Sequence, residues 1–377
     1  MITIDLITGF LGSGKTTFIE KYARWLVAKG ERVCILENDY GAINIDRVLL
    51  QDLLGPNCEL EMVVGGDGAE AHQRRFRTKL ISMAMLGYTR VLVEPSGIYD
   101  IDEFFDSLYE EPLDRWYEVG SVLTIVDARL DPGLSPASRY LLASEAAGAG
   151  KIILSKLPVT LSTPKHDKAR PEANRTAGID TGRRNDRRQG AMTAPVDNID
   201  QHPERAQNDV IAQTLAILNQ AMEELQCARR FAYPADVLAK PWDQLEDSDF
   251  QMLEAAGYRH VSFLKKAVAE EDAYQSLFYM HYETTPEDLQ ARVLKLLADP
   301  AAGHVLRIKG FSSGFELNVT KDERHFRPLS VPTEDVIIVI GEGLRKDIVA
   351  GYFPGAVTVR YRKLKTDYLR KVRTMLK

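Results

Sequence analysis

Gly9-Phe10-Leu11-Gly12-Ser13-Gly14-Lys15-Thr16-Thr17, close to the start of the chain, decides how the remaining residues are read. The stretch satisfies G-x-x-x-x-G-K-[ST], the phosphate-binding P-loop. Its flanks agree with the motif. Ile2 to Thr8 is a short, β-rich apolar run, and from Thr17 to Lys29 the residues Phe18, Ile19, Tyr22 and Leu26 recur at helical spacing. Strand, glycine loop and helix N-terminus therefore follow one another. Successive backbone N–H groups then converge on phosphate oxygens, and the helix dipole adds positive potential at the same point. Gly9, Gly12, Ser13, Gly14 and Thr17 are expected to surround the phosphates. Lys15 is expected to reach the β- and γ-phosphates and the Thr16 hydroxyl to ligate Mg²⁺. The bland alternative is a glycine turn that only joins strand to helix.

The chain has 377 residues, enough for two domains with separate cores. With 45% hydrophobic and 27% charged residues it has the composition of an ordinary soluble protein, and no apolar run is long enough to span a bilayer. A formal net charge of −6 gives no reason to expect nucleic-acid or membrane-surface partners. Cys34, Cys58 and Cys227 are too far apart for a C-x-x-C site or a disulfide framework. With a strand-like run directly after Met1 and no leader-like segment, a cytoplasmic location is expected.

Residues 1–157 alternate apolar strands with helical patterns, which predicts an α/β domain around a mainly parallel sheet. The strand Arg32 to Leu36 runs into Glu37-Asn38-Asp39-Tyr40-Gly41. At the carboxyl end of a strand such a loop faces the nucleotide, where Asp39 or Glu37 orients the Mg²⁺-bound or attacking water; turn and capping chemistry is an equal alternative. Leu60 to His72 passes from a strand into a small-residue loop. There Asp67, Glu70 and His72 offer oxygen and nitrogen ligands for a transition metal, or are simply solvated. A helix is expected over 73–86. The strand Arg90 to Val93 ends at Glu94-Pro95-Ser96-Gly97, a Walker B arrangement in which Glu94 holds Mg²⁺ and Gly97 senses the γ-phosphate. Strands are also expected at 122–126, ending at Asp127, and at 151–154, ending at Ser155-Lys156. The Lys156 stem is placed to stack on a base or else to snorkel at a strand end.

Residues 158–207 are rich in Pro, Thr, Asn, Asp and Arg without periodicity and read as a disordered insertion or linker. A helix over 208–228 completes the nucleotide domain, 229–272 reads as a connecting segment, and 273–377 as a smaller α+β domain. In the latter, strands are expected at 274–283, 304–310, 315–319 and 336–340. Thr285-Pro286-Glu287-Asp288 opens a helix with Thr285 as N-cap.

These segments together resemble the CobW family of P-loop GTPases. The resemblance is carried by Gly9 to Thr17, by Glu37 to Gly41 running on to Ile45-Asp46, by Glu94-Pro95-Ser96-Gly97, by Val126-Asp127-Ala128, and by His304 to Phe311 (HVLRIKGF). It implies GTP as nucleotide, Mg²⁺ as its metal, and a metallochaperone-type role: GTP hydrolysis coupled to delivery of zinc, cobalt or a related ion to a metalloprotein client. A nucleotide-dependent homodimer is a further expectation. Two departures stand out. The family's Cys-x-Cys-Cys motif would fall near Gly65 to Ala69, where there is no cysteine. Its guanine-reading Asn-Lys-x-Asp would fall on Ser155-Lys156-Leu157-Pro158, where only Lys156 matches. An alternative expectation is therefore a nucleotide-sensing regulatory module with little hydrolysis and no metal transfer.

Overall fold

The computed structural model describes residues 1–10, 12–38, 50, 52–63, 69–95, 101–130, 132–157, 203–265, 275–321, 323–329 and 335–359. The alternating pattern of the first half becomes a seven-stranded, all-parallel sheet. Its strands are β1 (Ile2–Gly9), β2 (Val33–Asn38), β3 (Cys58–Met62), β4 (Arg90–Pro95), β5 (Tyr117–Asp127), β6 (Lys151–Ser155) and β7 (Val237–Ala239), in the order β3-β2-β4-β1-β5-β6-β7. The helices of this half are α1 (Lys15–Ala28), α2 (Ala69–Ala84), α3 (Ile101–Tyr109), α4 (Pro136–Ala147), α5 (Pro203–Glu224) and α6 (Asp247–Glu254). Strands sandwiched between helices bury both faces, which is why β1 and β4 read as nearly unbroken apolar runs.

The helical face expected on α1 is the one that packs. Phe18, Ile19, Tyr22 and Leu26 are fully buried, at about 1.5–3 kcal/mol for each large apolar side chain. They continue into an aromatic seam in which Tyr22 stacks on Trp25 at 6.0 Å and Trp25 on Phe250 at 5.6 Å. Beneath that seam lies a buried ionic cluster. Arg90 contacts Asp5 at 2.7 Å and Glu254 at 2.9 Å, while Asp5 accepts from the Ser121 N–H at 2.7 Å. Burial pushes the Asp5 carboxyl above the usual range, and Arg90 pulls it back.

Residues 229–272, expected as a connector, instead contain β7 and α6. β7 pairs in parallel with β6 and extends the nucleotide sheet, and Phe250 of α6 belongs to the seam on α1. The helix expected over 208–228 starts earlier, at Pro203, and that over 73–86 starts at Ala69, since Ala69 and Ala71 are strong helix formers continuous with it. Residues 158–202 of the expected insertion lie outside the described residues.

The C-terminal half is a separate antiparallel sheet. It comprises β8 (Gln275–Met280), β9 (His304–Ser312), β10 (Phe315–Thr320), β11 (Arg324–Pro328), β12 (Val336–Glu342) and β13 (Val357–Val359), ordered β11-β10-β9-β12-β8-β13. The helices α7 (Pro286–Leu297) and α8 (Lys346–Gly351) accompany it. Thr285 caps α7 as expected, accepting from the Asp288 N–H at 3.2 Å. Leu289, Val293 and Leu296 of α7 are buried in one cluster with Ile308, Leu317 and Ile337 of the sheet. Among the described residues, no helix is long and apolar enough to cross a membrane.

Candidate phosphate-binding site

The loop from Gly9 to Lys15 leaves the carboxyl end of β1 and turns into α1 with Gly14 as N-cap in the left-handed conformation (φ 97°). A side chain there would be strained. Gly9 is constrained more tightly still: a Cβ would lie 2.3 Å from the Ile125 carbonyl, so only glycine lets the loop start this close to β5. Lys15 Nζ donates to the Gly9 carbonyl at 2.7 Å, which folds the ammonium back over the loop while leaving the side chain almost fully buried. Ser13 Oγ is buried, with no hydrogen-bond partner among the described residues.

Beside the loop, β4 delivers Glu94 to the first turn of α1. The Thr16 hydroxyl lies 3.4 Å from both Glu94 carboxylate oxygens. A hydroxyl and a carboxylate converging at this separation form an all-oxygen donor set, which suits a hard cation such as Mg²⁺. The residues present fit that ion.

At the other end of the site, β5 and β6 end side by side, with Asp127 opposite Ser155. Lys156 adopts a positive φ of 54° and its ammonium lies 2.9 Å from Asp127. Arg129 donates from Nε to the Lys156 carbonyl at 3.2 Å. Lys156 is thus held by a carboxylate at the strand ends, with its stem along the cleft.

The second sheet closes the site. Lys156 also lies 3.3 Å from Glu323, and Ser135 at the start of α4 donates to Glu342 at 2.7 Å. Between the two halves is a cleft of about 520 Å³. The P-loop, Glu94 and Lys156 line one side. Residues of β9, β10 and β11, among them Arg307, Asn318 and Arg327, line the other. Trp242, following β7, packs at 3.8 Å from the position of a Gly14 Cβ and closes one end. A cleft of this size is in the range of small-molecule and cofactor sites.

The structure therefore brings together Gly12, Gly14, Lys15, Thr16, Thr17, Glu94 and Lys156 along one cleft. Asp39, Asp67 and Gly97 lie outside the described residues, as does the Glu70 side chain. His72 is fully buried on α2, and among the described residues no group of three His, Cys, Asp or Glu side chains is placed to hold a metal. Burial raises the Cys34 thiol far above its ordinary pKa and pushes Cys58 up to about 11. Both are neutral at pH 7 and poor soft-metal ligands in that form.

Sequence reasoning missed Arg129, Trp242 and Arg307 as cleft residues. For Trp242 the one available signal is a large aromatic in a Pro-containing turn after a short apolar run. Arg307 lies inside HVLRIKGF, the C-terminal stretch quoted for the resemblance, as a charged residue in an otherwise apolar strand.

Glu145 of α4 is buried behind the P-loop. Its backbone carbonyl accepts from Thr8 at 3.3 Å and Thr124 at 2.9 Å. Burial pushes its carboxyl up to about 8, with Lys15 pulling the other way. The unfolded chain ionises this group near 4.5, so between about 4.5 and about 8 the folded state binds the extra proton. Its contribution to stability is complete below that window and is lost as pH rises through it, by about 1.4 kcal/mol per pH unit. Glu145→Gln is expected to remove this decline. Parallel urea titrations from pH 5 to 8 would show the variant gaining on wild type as pH rises; a constant difference would contradict the assignment.

Residues 3–175 match the model of the CobW/HypB/UreG nucleotide-binding domain. The chain is 31% identical over 172 residues to the zinc chaperone YeiR of Escherichia coli K12, covering 45% of this chain and 50% of YeiR. It is 23% identical over 167 residues to the zinc chaperone YjiA of the same organism, covering 42% of this chain and 50% of YjiA. These matches span about half the length of each relative. Among solved structures, Zn(II)-bound YjiA GTPase from E. coli aligns over 94% of this chain and 99% of its own at 14% identity and a TM-score of 0.31, too loose a likeness to bear on function.

Proposed function

We propose that this protein binds and hydrolyses GTP with Mg²⁺ as a metallochaperone-type switch; the reading is supported by the match of residues 3–175 to the CobW/HypB/UreG nucleotide-binding domain and by the similarity to the zinc chaperones YeiR and YjiA over about half the length of each. The observation that carries the reading is the convergence of Lys15, Thr16 and Glu94 on one end of the interdomain cleft. In it, Gly12, Gly14 and Thr17 cradle the phosphates with backbone N–H groups, and Lys15 moves from the Gly9 carbonyl to phosphate oxygens. Thr16 and Glu94 hold Mg²⁺, which when bound offsets phosphate charge. Asp39 orients the attacking water and Gly97 reports the γ-phosphate, so loss of that group releases both loops. Asp67, Glu70 and His72 are the ligand set for a transported ion such as Zn²⁺.

A second reading, a nucleotide-sensing module with little turnover, is favoured by the lack of any cysteine between Gly65 and Ala69. Phosphate release from GTP and ATP, with Mg²⁺ and with or without Zn²⁺, separates the two. GTP-selective, Mg²⁺-dependent turnover that Zn²⁺ alters is the expected result. Binding without turnover would overturn the hydrolase reading in favour of the module, and equal use of ATP would remove the assignment to GTP.

A further inference from the structure

β6 and β7 run side by side in parallel, with Leu154 opposite Ala239, so the chain leaves both strands at the same edge of the nucleotide sheet. The segment leaving β6 carries Lys156, and the one leaving β7 forms a short helical turn, Trp242–Gln244; both line the cleft. That turn is fixed in place. Trp242 packs on Phe18 of α1 with ring centroids 5.7 Å apart, and the Gln244 N–H donates to the Pro241 carbonyl at 3.0 Å. The indole edge of Trp242 and the Ser155 Cβ stand 3.8 and 3.9 Å from the position of a Gly14 Cβ, so the two strand ends meet over the P-loop. Asp243, in the middle of the turn, is exposed and lines the cleft. Both nearby lysines are already balanced by other carboxylates. Lys156 lies 2.9 Å from Asp127 and 3.3 Å from Glu323, and Lys240 lies 2.7 Å from Asp249 and 3.3 Å from Glu246. The other carboxylates that line the cleft are engaged too: Glu94 by Thr16, Glu323 by Lys156, and Glu316 as well. Among the described residues the Asp243 side chain has no hydrogen bond or ion pair, so its oxygens are left for a ligand.

We propose that Asp243 is the base-reading residue of the site: its carboxylate accepts the N1–H and N2–H donors of a guanine whose phosphates lie on the P-loop and whose ring lies along the Lys156 stem. The proposal deepens the guanine-nucleotide reading above and rests on it. Guanine presents two donors side by side on this edge, and the two oxygens of one carboxylate accept both in parallel as charge-assisted bonds. Adenine presents an unprotonated N1 at the same place, whose lone pair faces the carboxylate and is repelled. The carboxylate therefore selects guanine both by what it binds and by what it rejects. The sequence shows why the carboxylate comes from this loop. After Lys156 the chain reads Leu157-Pro158, so the end of β6 brings no carboxylate to the base, while the adjacent end of β7 brings one. Asp243 sets specificity and takes no part in phosphoryl transfer.

The test uses the full chain as wild type, Asp243→Ala and Asp243→Asn, titrated calorimetrically with Mg²⁺ present. The ligands are the diphosphates of guanosine, inosine, xanthosine and adenosine, with inorganic triphosphate as a probe that has no base. Inosine lacks the 2-amino group of guanosine, and xanthosine carries a carbonyl in its place. Wild type is expected to bind guanosine diphosphate about tenfold more tightly than the inosine compound, the worth of one hydrogen bond to a charged acceptor. In Asp243→Ala, guanosine diphosphate is expected to weaken by about 10–100-fold and to lose its advantage over inosine, with inorganic triphosphate within about twofold of wild type. In Asp243→Asn the new amide N–H donates to the xanthine carbonyl, so the xanthosine compound is expected to bind more tightly than the guanosine one, reversing the wild-type order. Inorganic triphosphate binding shows that each variant folds, and either variant alone is decisive. A wild-type ratio of guanosine to inosine affinity in the variants would overturn the proposal while leaving the guanine-nucleotide reading standing. Loss of inorganic triphosphate binding in both variants would place the effect of Asp243 away from the base and also overturn it. Equal binding of guanosine and adenosine diphosphates by wild type would bring down the proposal and the assignment to GTP together.

Discussion

Lys15→Ala is expected to reduce Mg²⁺-GTP affinity by about 10–100-fold, the worth of a charge-assisted hydrogen bond to phosphate, and to slow any hydrolysis by a further 10²–10³-fold or so. The reason is positional. Lys15 is the first residue of α1, almost fully buried, and its ammonium is held over the loop by the Gly9 carbonyl. Removing it leaves the converging N–H groups of the loop in place, because Gly9 and Gly14 set their geometry and not the lysine. Residual weak binding of GDP is therefore expected to survive while discrimination for the triphosphate falls. The fold should tolerate the change, since α1 stays pinned along its length by Phe18, Ile19, Tyr22 and Leu26, which are fully buried in the turns that follow Lys15. Fluorescence titration with GDP and a non-hydrolysable GTP analogue checks both statements. Unchanged triphosphate affinity would remove Lys15 from the site.

Arg90→Ala is expected to cost about 3–5 kcal/mol of stability, the penalty for leaving a buried charge without its partner. Arg90 is 7% exposed as a side chain and bridges Asp5 on β1 to Glu254 at the end of α6. Without it, the Asp5 carboxylate would be left with the Ser121 N–H and the Tyr22 hydroxyl, at 2.7 and 3.3 Å. The cluster lies under the strand that delivers Gly9, so the loss should also loosen nucleotide binding. Replacing both members, Asp5→Leu with Arg90→Met, is expected to restore a substantial part of the stability, because a buried ion pair exchanged for apolar volume is often neutral. Urea denaturation of the single and double variants gives the measurement. A loss below about 1 kcal/mol in Arg90→Ala would mean the pair is solvated in practice.

Legibility from sequence followed the range of the interactions. The glycine-rich loop entering α1, the apolar strand that carries Glu94 and the apolar face of α1 are local patterns, and each is readable because a few neighbouring residues determine it. The parallel sheet followed from alternation for the same reason. β7 was not readable: three residues, Val237 to Ala239, are too few to show a period, and only pairing with β6 identifies them as a strand. α6 carries an apolar face of only Phe250 and Leu253, meaningful once α1 is beside it. Thr16 and Glu94 could be placed together from motif logic, 78 positions apart. Arg307 could not, because its place in the cleft depends on how a second sheet docks against the first, and no local rule encodes that. The same limit explains Lys156. Its placement at a strand end was foreseeable, whereas its pairing with Glu323 across the domain boundary was not.

The central claim is that the cleft between the two sheets is a Mg²⁺-dependent guanine nucleotide site built on the P-loop. Calorimetric titration of the full chain with GTP, in the presence and absence of Mg²⁺ and with ATP in parallel, addresses it most directly. Saturable one-to-one binding of GTP that weakens on removing Mg²⁺ and exceeds ATP binding is the predicted result. No saturable heat with either nucleotide, or binding indifferent to Mg²⁺, would contradict it.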